Sequence, residues 1–387
     1  MWFKKTEILK IVTIIGARPQ IIKAAALSRA ISNSFSNSIE EIIVHTGQHY
    51  DQNMSQVFID ELGIPEPKYN LSIGSSSHGV QTAKMIEGIE RILLIEKPDY
   101  LVVYGDTNST LAGAIAAAKI HIPIAHIEAG LRSFNKSMPE EINRIMCDHA
   151  STLLFSPTQT GYKNLINEGF NPENTTPFTP DNPGIFHCGD VMFDNSLFFK
   201  TIADEKSTVL EGNNLKGKDF ILTTIHRDSN TDVPERLSSI FSALLTISER
   251  ESIEVILPLH PRTAKLMESN LNGDLYNKVK DSQFLKLIPP VSFLDMIVLE
   301  SNCKLVMTDS GGVQKEAYFF KKPAVILRSE TEWKEIVEAG CGIIANADEE
   351  RIIEAFETFN DGGRNLEFPE IFGDGKAAEF ICKTLLG

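Results

Sequence analysis

Acidic residues recur in this chain where apolar runs end, at spacings that suit proton transfer. Tyr104-Gly105-Asp106-Thr107-Asn108 closes one run, and Ala125-His126-Ile127 leads directly into Glu128-Ala129-Gly130-Leu131-Arg132. The segment Met138-Pro139-Glu140-Glu141-Ile142-Asn143-Arg144 opens a helix with two carboxylates in its first turn. Taken singly, each acid has a structural use: Asp106 as a helix cap, Glu140 and Glu141 as partners of a helix dipole. Three acids and Lys23 at one end of one sheet are what general acid–base catalysis needs. Asp106, Glu128 and Glu140 are therefore the candidate proton-transfer residues, with Lys23 beside them.

Basic and glycine-rich strand ends point to an anion. Gly16-Ala17-Arg18-Pro19-Gln20 follows the first apolar run, and Lys23 comes one helical turn later. Arg18 and Lys23 at a strand-to-helix turn suit phosphate, or else are two solvated bases. Thr224-Ile225-His226-Arg227 and Leu259-His260-Pro261-Arg262 are two further basic strand ends, as readily structural as functional. The sharpest signal is Val306-Met307-Thr308-Asp309-Ser310-Gly311-Gly312-Val313-Gln314-Lys315-Glu316, an apolar strand running through Ser-Gly-Gly into a helix. Backbone N–H groups and the dipole of a helix start hold phosphate, and the glycines let a diphosphate approach closely. Glu316 is placed to accept ribose hydroxyl protons; an ordinary tight turn is the alternative. No G-x-G-x-x-G is present, which argues against a nicotinamide dehydrogenase. Cys147, Cys188, Cys303, Cys341 and Cys382 are scattered with no C-x-x-C, which argues against a zinc site or a disulfide framework. A reducing cytoplasm is the expected compartment.

These residues need a scaffold, and the apolar pattern supplies one. Short β-rich runs alternate with helical patterns: Ile8–Ile15, Glu41–Thr46, Tyr100–Tyr104, Ile122–Ile127, Thr152–Ser156 and Ile185–Cys188 in a first series. Asp219–Ile225, Glu254–Leu259, Leu285–Ile288, Lys304–Thr308, Ala324–Leu327 and Gly342–Ala345 form a second. Several are apolar on both faces, as in parallel strands covered by helices. Twelve strands exceed one comfortable sheet, so the expected fold class is α/β with two Rossmann-like, doubly wound domains and a cleft between them. The expected boundaries are an N-terminal domain at 1–195, a C-terminal domain at 196–375 and a last helix at 376–387. Doubly wound sheets bind ligands beyond the carboxyl ends of their strands, where the polar motifs fall.

Composition narrows the partners. The 37 Lys and Arg against 52 Asp and Glu leave a net charge of −15, unsuited to nucleic acid or an anionic membrane. Nowhere do 18 uncharged apolar residues run together. The apolar stretch near the N-terminus reads as a strand meeting a loop rather than a signal peptide.

The motifs together resemble the non-hydrolysing UDP-N-acetylglucosamine 2-epimerases over nearly the full chain. The matching residues are Gly16-Ala17-Arg18-Pro19 with Lys23, Thr46-Gly47-Gln48-His49, Gly105-Asp106-Thr107 and Glu128-Ala129-Gly130-Leu131-Arg132. They continue through Pro139-Glu140-Glu141 with Asn143-Arg144, His226-Arg227, and Asp309-Ser310-Gly311-Gly312 with Gln314 and Glu316. Ser229 stands where the family commonly has Glu, and Thr331-Glu332-Trp333-Lys334 where it has Thr-Glu-Arg-Pro. Val80, before Gln81-Thr82, occupies the place of a regulatory-site arginine. Ile-Gly-Ala-Arg-Pro-Gln, Thr-Glu-Trp and Leu-His-Pro-Arg resemble the branch acting on UDP-2,3-diacetamido-2,3-dideoxyglucuronate.

The resemblance implies a GT-B-like architecture, a homodimer, a UDP-sugar substrate, no cofactor or metal, and a role in making cell-surface polysaccharide precursors. It assigns Asp106, Glu128, Glu140, His226 and Lys23 to catalysis. Arg18, Lys23, His226, Ser310, Gly311, Gly312 and Glu316 would bind the UDP of the substrate. The C2 proton of a GlcNAc unit has no adjacent carbonyl, so elimination of UDP to a glycal and its re-addition is the implied route. A hydrolysing 2-epimerase, a GT-B glycosyltransferase and a non-enzymatic sugar-nucleotide sensor are the alternatives.

Overall fold

The computed structural model describes residues 8–47, 64–360 and 366–387; Gln48 and His49 of the Thr-Gly-Gln-His motif lie outside them. The chain divides into two compact units, Met1–Asn195 with Glu370–Gly387, and Ser196–Pro369. Each is a parallel sheet covered by helices, and together they make the α/β, GT-B-like fold.

The first sheet runs β3-β2-β1-β4-β5-β6-β7. Its strands are β1 Leu9–Ile15, β2 Ile39–His45, β3 Tyr69–Asn70, β4 Tyr100–Tyr104, β5 Ile124–Ile127, β6 Leu153–Ser156 and β7 Gly184–His187. The second runs β10-β9-β8-β11-β12-β13. It is built from β8 Phe220–Thr224, β9 Glu254–Pro258, β10 Leu285–Ile288, β11 Leu305–Thr308, β12 Ala324–Ile326 and β13 Gly342–Ile344. Both orders step outward from a first strand and then reverse, as in Rossmann sheets, so the reversal lies between β1 and β4 and between β8 and β11.

The strands form where β-branched and aromatic runs are buried on both faces. In β1 everything from Ile11 to Ile15 is buried, and in β4 everything from Leu101 to Tyr104. Val12 pairs with Leu101 on one side and Ile42 on the other, which fixes the register at the reversal point. In the second unit the long helix Pro234–Glu251 lays Leu237, Ile240, Phe241 and Leu244 onto the sheet, each fully buried. The sequence pattern predicts twelve strands, and the described residues form one more. β3 is two residues long and pairs with β2 at Val44–Tyr69, too short to leave a periodic apolar signal.

The helix Ala377–Leu386 belongs to the first unit, where it packs on helix Arg18–Ala30 through Ala377, Ala378, Ile381, Cys382 and Leu385. Its N-terminus is capped from outside: the backbone N–H groups of Ala377 and Ala378 donate to the Asp194 carboxylate at 3.1 and 2.8 Å. Among the described residues no helix is long and apolar enough to cross a membrane.

Candidate active site

At the reversal point of the first sheet, the loops after β1 and β4 are locked side by side. A Cβ on Gly16 would stand 2.1 Å from Thr46 Oγ1 and 2.2 Å from Ser109 Oγ, so only glycine lets these strand ends close up. Gln20, nearly fully buried, accepts from the Ala17 N–H and donates to the Tyr104 carbonyl and Thr110 Oγ1. Gln20 is thus a brace across the reversal, on the same helix that carries Arg18 and Lys23.

Lys23 turns toward Glu128. Its ammonium is 2.5 Å from Glu128 Oε2, with the two side chains only 12% and 11% exposed. Glu128 sits directly off β5 at φ +73, a left-handed conformation that costs a non-glycine residue about 1–3 kcal/mol and gathers at functional sites. Its N–H and that of Ala129 both donate to the Phe155 carbonyl, which holds the turn in place. Gly105 lies against the pair: a Cβ there would be 3.2 Å from Lys23 Nζ and 3.3 Å from Glu128 Oε1.

Asp106 follows Gly105 and is ion-paired with Arg144. Burial raises its pKa; Arg144 and Lys23 pull the other way, while Glu128 and Glu140 reinforce the rise. Those influences place all five charges in one neighbourhood. Asn143 Nδ2 holds the Asp106 carbonyl at 2.9 Å, so helix Pro139–Ala150 fixes this loop through two consecutive residues. The two first-turn glutamates divide their work. Glu141 is buried and accepts from the Ser133 and Phe134 N–H groups, both at 2.9 Å, shaping the preceding loop. Glu140 is exposed and is the one whose charge is felt at Asp106.

Behind the acids is a buried frame. His126 faces Asp148 Oδ1 with Nδ1 at 2.7 Å and the Gly105 carbonyl with Nε2 at 2.8 Å. Both partners are acceptors, so the ring carries two protons. Burial opposes that charge, but Cys147 and Asp148 outweigh it and raise the pKa to about 10. Asp148 also accepts from Gly130 N–H and pairs with Arg132, which reaches on to Glu168. The Arg132 of the Glu-Ala-Gly-Leu-Arg motif is therefore a clamp for the turn that carries Glu128.

The reversal point of the second sheet presents a different chemistry. Asp309, fully buried after β11, accepts from the backbone N–H groups of His226 and Arg227 and from Asn230 Nδ2. It fastens the end of β8 beside the end of β11, and His226 Nδ1 stands 3.3 Å from it with the ring half exposed. Ser310 caps helix Gly311–Phe319, accepting from Val313 N–H. The first-turn amides of Gly311 and Gly312 have no acceptor within the helix. A Cβ on Gly312 would meet nothing nearer than Ser310 Oγ at 3.8 Å and Glu316 Oε2 at 4.0 Å, so this face is open and Glu316 borders it. Trp333, at a departure from the family pattern, donates its indole N–H to the Gly311 carbonyl at 2.9 Å, and Lys315 Nζ lies 4.5 Å from its ring. Thr331 Oγ1 donates to Gln314.

The structure thus gathers Lys23, Asp106, Glu128 and Glu140 in the first unit, and His226, Ser310, Gly311, Gly312 and Glu316 about one sheet's reversal point in the second. The other His–Arg strand end is tied within its own unit: His260 Nδ1 accepts from Arg262 N–H, and Arg262 pairs with Asp228 and Asp232. Sequence reasoning gave no role to Arg144, Asn230, Asp148 or Gln20. Arg144 lies in the Pro-Glu-Glu motif with Asn143, but its pairing with Asp106 crosses a long stretch of chain; Asp148 and Asn230 also act across long stretches, and no local pattern marks them.

A sequence profile of the family described as UDP-N-acetylglucosamine 2-epimerase matches residues 32–386. The chain is 49% identical to a UDP-N-acetylglucosamine 2-epimerase homolog of Methanococcus maripaludis, and 47% identical to UDP-2,3-diacetamido-2,3-dideoxy-D-glucuronate 2-epimerase of Pseudomonas aeruginosa. Each alignment spans 97% of this chain and 99% of the relative. It is also similar to the crystal structure of Methanocaldococcus jannaschii UDP-GlcNAc 2-epimerase in complex with UDP-GlcNAc and UDP. That likeness has a TM-score of 0.78 at 41% identity, covering 97% of this chain and 99% of the other.

Proposed function

Because this chain belongs to the UDP-N-acetylglucosamine 2-epimerase family, we propose that it inverts C2 of a UDP-linked N-acetylamino sugar by eliminating and re-adding UDP. The observation that carries the reading is the cluster of Lys23, Glu128, Asp106 and Arg144 at the reversal point of the first sheet. One carboxylate takes H2 as a proton; the C–H electron pair becomes the C1=C2 bond while the C1–O bond breaks and UDP departs. A second acid then protonates C2 on the opposite face as a UDP oxygen attacks C1.

Glu128, paired with a buried ammonium, is the proton acceptor in this reading. Asp106, whose pKa burial raises, takes up a proton more readily than an exposed aspartate and suits the donor. Glu140 completes the acidic set. Arg18, Lys23 and His226 stabilise the leaving diphosphate, the Ser310-Gly311-Gly312 turn supplies amides to it, and Glu316 receives the ribose hydroxyls. UDP-GlcNAc is the first substrate to test, and the Pseudomonas relative adds its diacetamido uronate analogue as the second.

A homodimer in the cytoplasm is part of the same proposal. Met138, Ile142 and Met146 form an exposed apolar stripe at helical spacing on the first unit, and all five cysteines are free thiols.

Incubation with each UDP-sugar in D2O tests the reaction. The expected product is an epimer mixture with deuterium at C2 and UDP still attached. Free sugar plus UDP would identify a hydrolase, and no exchange with either sugar would overturn the proposal.

A further inference from the structure

One buried acid in the second unit lacks the partner that burial demands. Glu300, on helix Phe293–Asn302, is 1% exposed, and neither of its carboxylate oxygens meets a hydrogen-bond donor among the described residues. An ionised carboxylate in that position would be heavily penalised. What lies within its hydrogen-bonding reach is a second carboxyl, that of Glu316, on the neighbouring helix Gly311–Phe319. Two anions there would repel, whereas one acid and one anion form a short, strong O–H···O⁻ bond. Burial, reinforced by the charge of Glu316, drives the Glu300 carboxyl well above the usual carboxylate range. Glu316 is partly exposed beside the open face of Gly312, so the charge belongs on Glu316 and the proton on Glu300.

We propose that Glu300 shares its proton with Glu316 and so positions the Glu316 carboxylate to receive the hydroxyls of a ribose. The proposal rests on the reading of Glu316 as the ribose-binding group. Held from behind by an O–H, the carboxylate cannot swing away, and its outward lone pairs stay directed at the open face. Glu300 touches no ligand itself; it is a positioning residue. A plain structural carboxyl at this place would have donors of its own.

Calorimetric titration of UDP and of 2′-deoxy-UDP into the full chain tests it, with variants Glu316→Ala, Glu300→Leu and Glu300→Gln. The wild type should prefer UDP by about tenfold, the scale of one charge-assisted hydrogen bond. Glu316→Ala should erase the preference; a wild type without it, or a preference that survives this substitution, defeats the ribose reading and the proposal with it. With the preference lost in Glu316→Ala, Glu300→Leu should lower both UDP affinity and discrimination about fivefold or more. A folded leucine variant that keeps both overturns the proposal and leaves the Glu316 reading standing. Glu300→Gln retains an N–H donor toward Glu316 and should bind like wild type; a glutamine variant as weak as the leucine one overturns proton sharing. Infrared spectroscopy at neutral pH covers a leucine variant that does not fold. The carbonyl stretch of a protonated carboxyl should be present in wild type and lost in Glu300→Gln, and identical spectra would also overturn the proposal.

Discussion

Glu128 and Asp106 belong to one cluster, and each is ion-paired with a different base. Glu128 is held against a mostly buried ammonium, and Asp106 is pushed toward its protonated form by burial. Replacing the carboxylates by amides keeps shape and removes proton transfer. Glu128→Gln and Asp106→Asn should each lose about 10²-fold or more in turnover, with UDP affinity by calorimetry nearly unchanged. Normal turnover in both would remove the proton relay from this cluster. The paired glutamates give a sharper comparison. Glu141→Gln should lower the melting temperature, since its carboxylate holds two loop amides, while exposed Glu140→Gln should melt like wild type and turn over slowly. The reverse pattern would exchange their roles. Both glutamates are legible in the sequence as first-turn acids, but which one is buried depends on the loop that folds back onto Glu141, and no spacing in the chain encodes that.

Turns and helix starts carry more of the design than their lengths suggest. The Ser310-Gly311-Gly312 turn is legible from sequence because its chemistry is local: a strand end, small residues and a helix start. The structure adds that Gly312 faces open space. Gly312→Val should therefore melt within a few degrees of wild type while binding UDP about tenfold or more weakly, since one charge-assisted contact is worth about 1.5–3 kcal/mol. Wild-type UDP affinity in that variant would move the diphosphate elsewhere. Glu300 was not legible, because its helix reads as an apolar surface and its partner lies on another element. The frame under Glu128 shows the same limit, with His126 locally resembling any strand histidine. Its folded pKa of about 10 lies above the ~6.5 of a free imidazole. Below ~6.5 both folded and unfolded chains hold the proton and the full stabilisation is present. Between ~6.5 and 10 only the folded chain holds it, so stability falls as pH rises through that window. Melting temperatures from pH 7 to 9.5 should decline in wild type and be flatter in His126→Gln. Equal slopes would mean that His126 is not the group responsible.

The alternation of strands and helices reports two doubly wound sheets because buried parallel strands are nearly continuous apolar runs. The same pattern says little about β3, or about which sheet receives the last helix. The acidic net charge is also a property of the entire sequence, while the bases proposed for the diphosphate are few and lie at or near strand ends. The stripe of Met138, Ile142 and Met146 is best tested at this scale. Light scattering should give a dimer for wild type and a monomer for Ile142→Glu, and a monomeric wild type would leave the stripe without its partner. The first unit, unlike the second, is assembled from two separated stretches of chain. On a ribosome adding about 5–20 residues per second, the second unit emerges whole while the first still waits for helix Ala377–Leu386. That wait is on the order of 10–40 seconds at those rates. The face of helix Arg18–Ala30 that the last helix covers therefore stays bare until synthesis is nearly over, and a message truncated near its end would leave Lys23, Asp106, Glu128 and Glu140 on a domain that lacks its last helix.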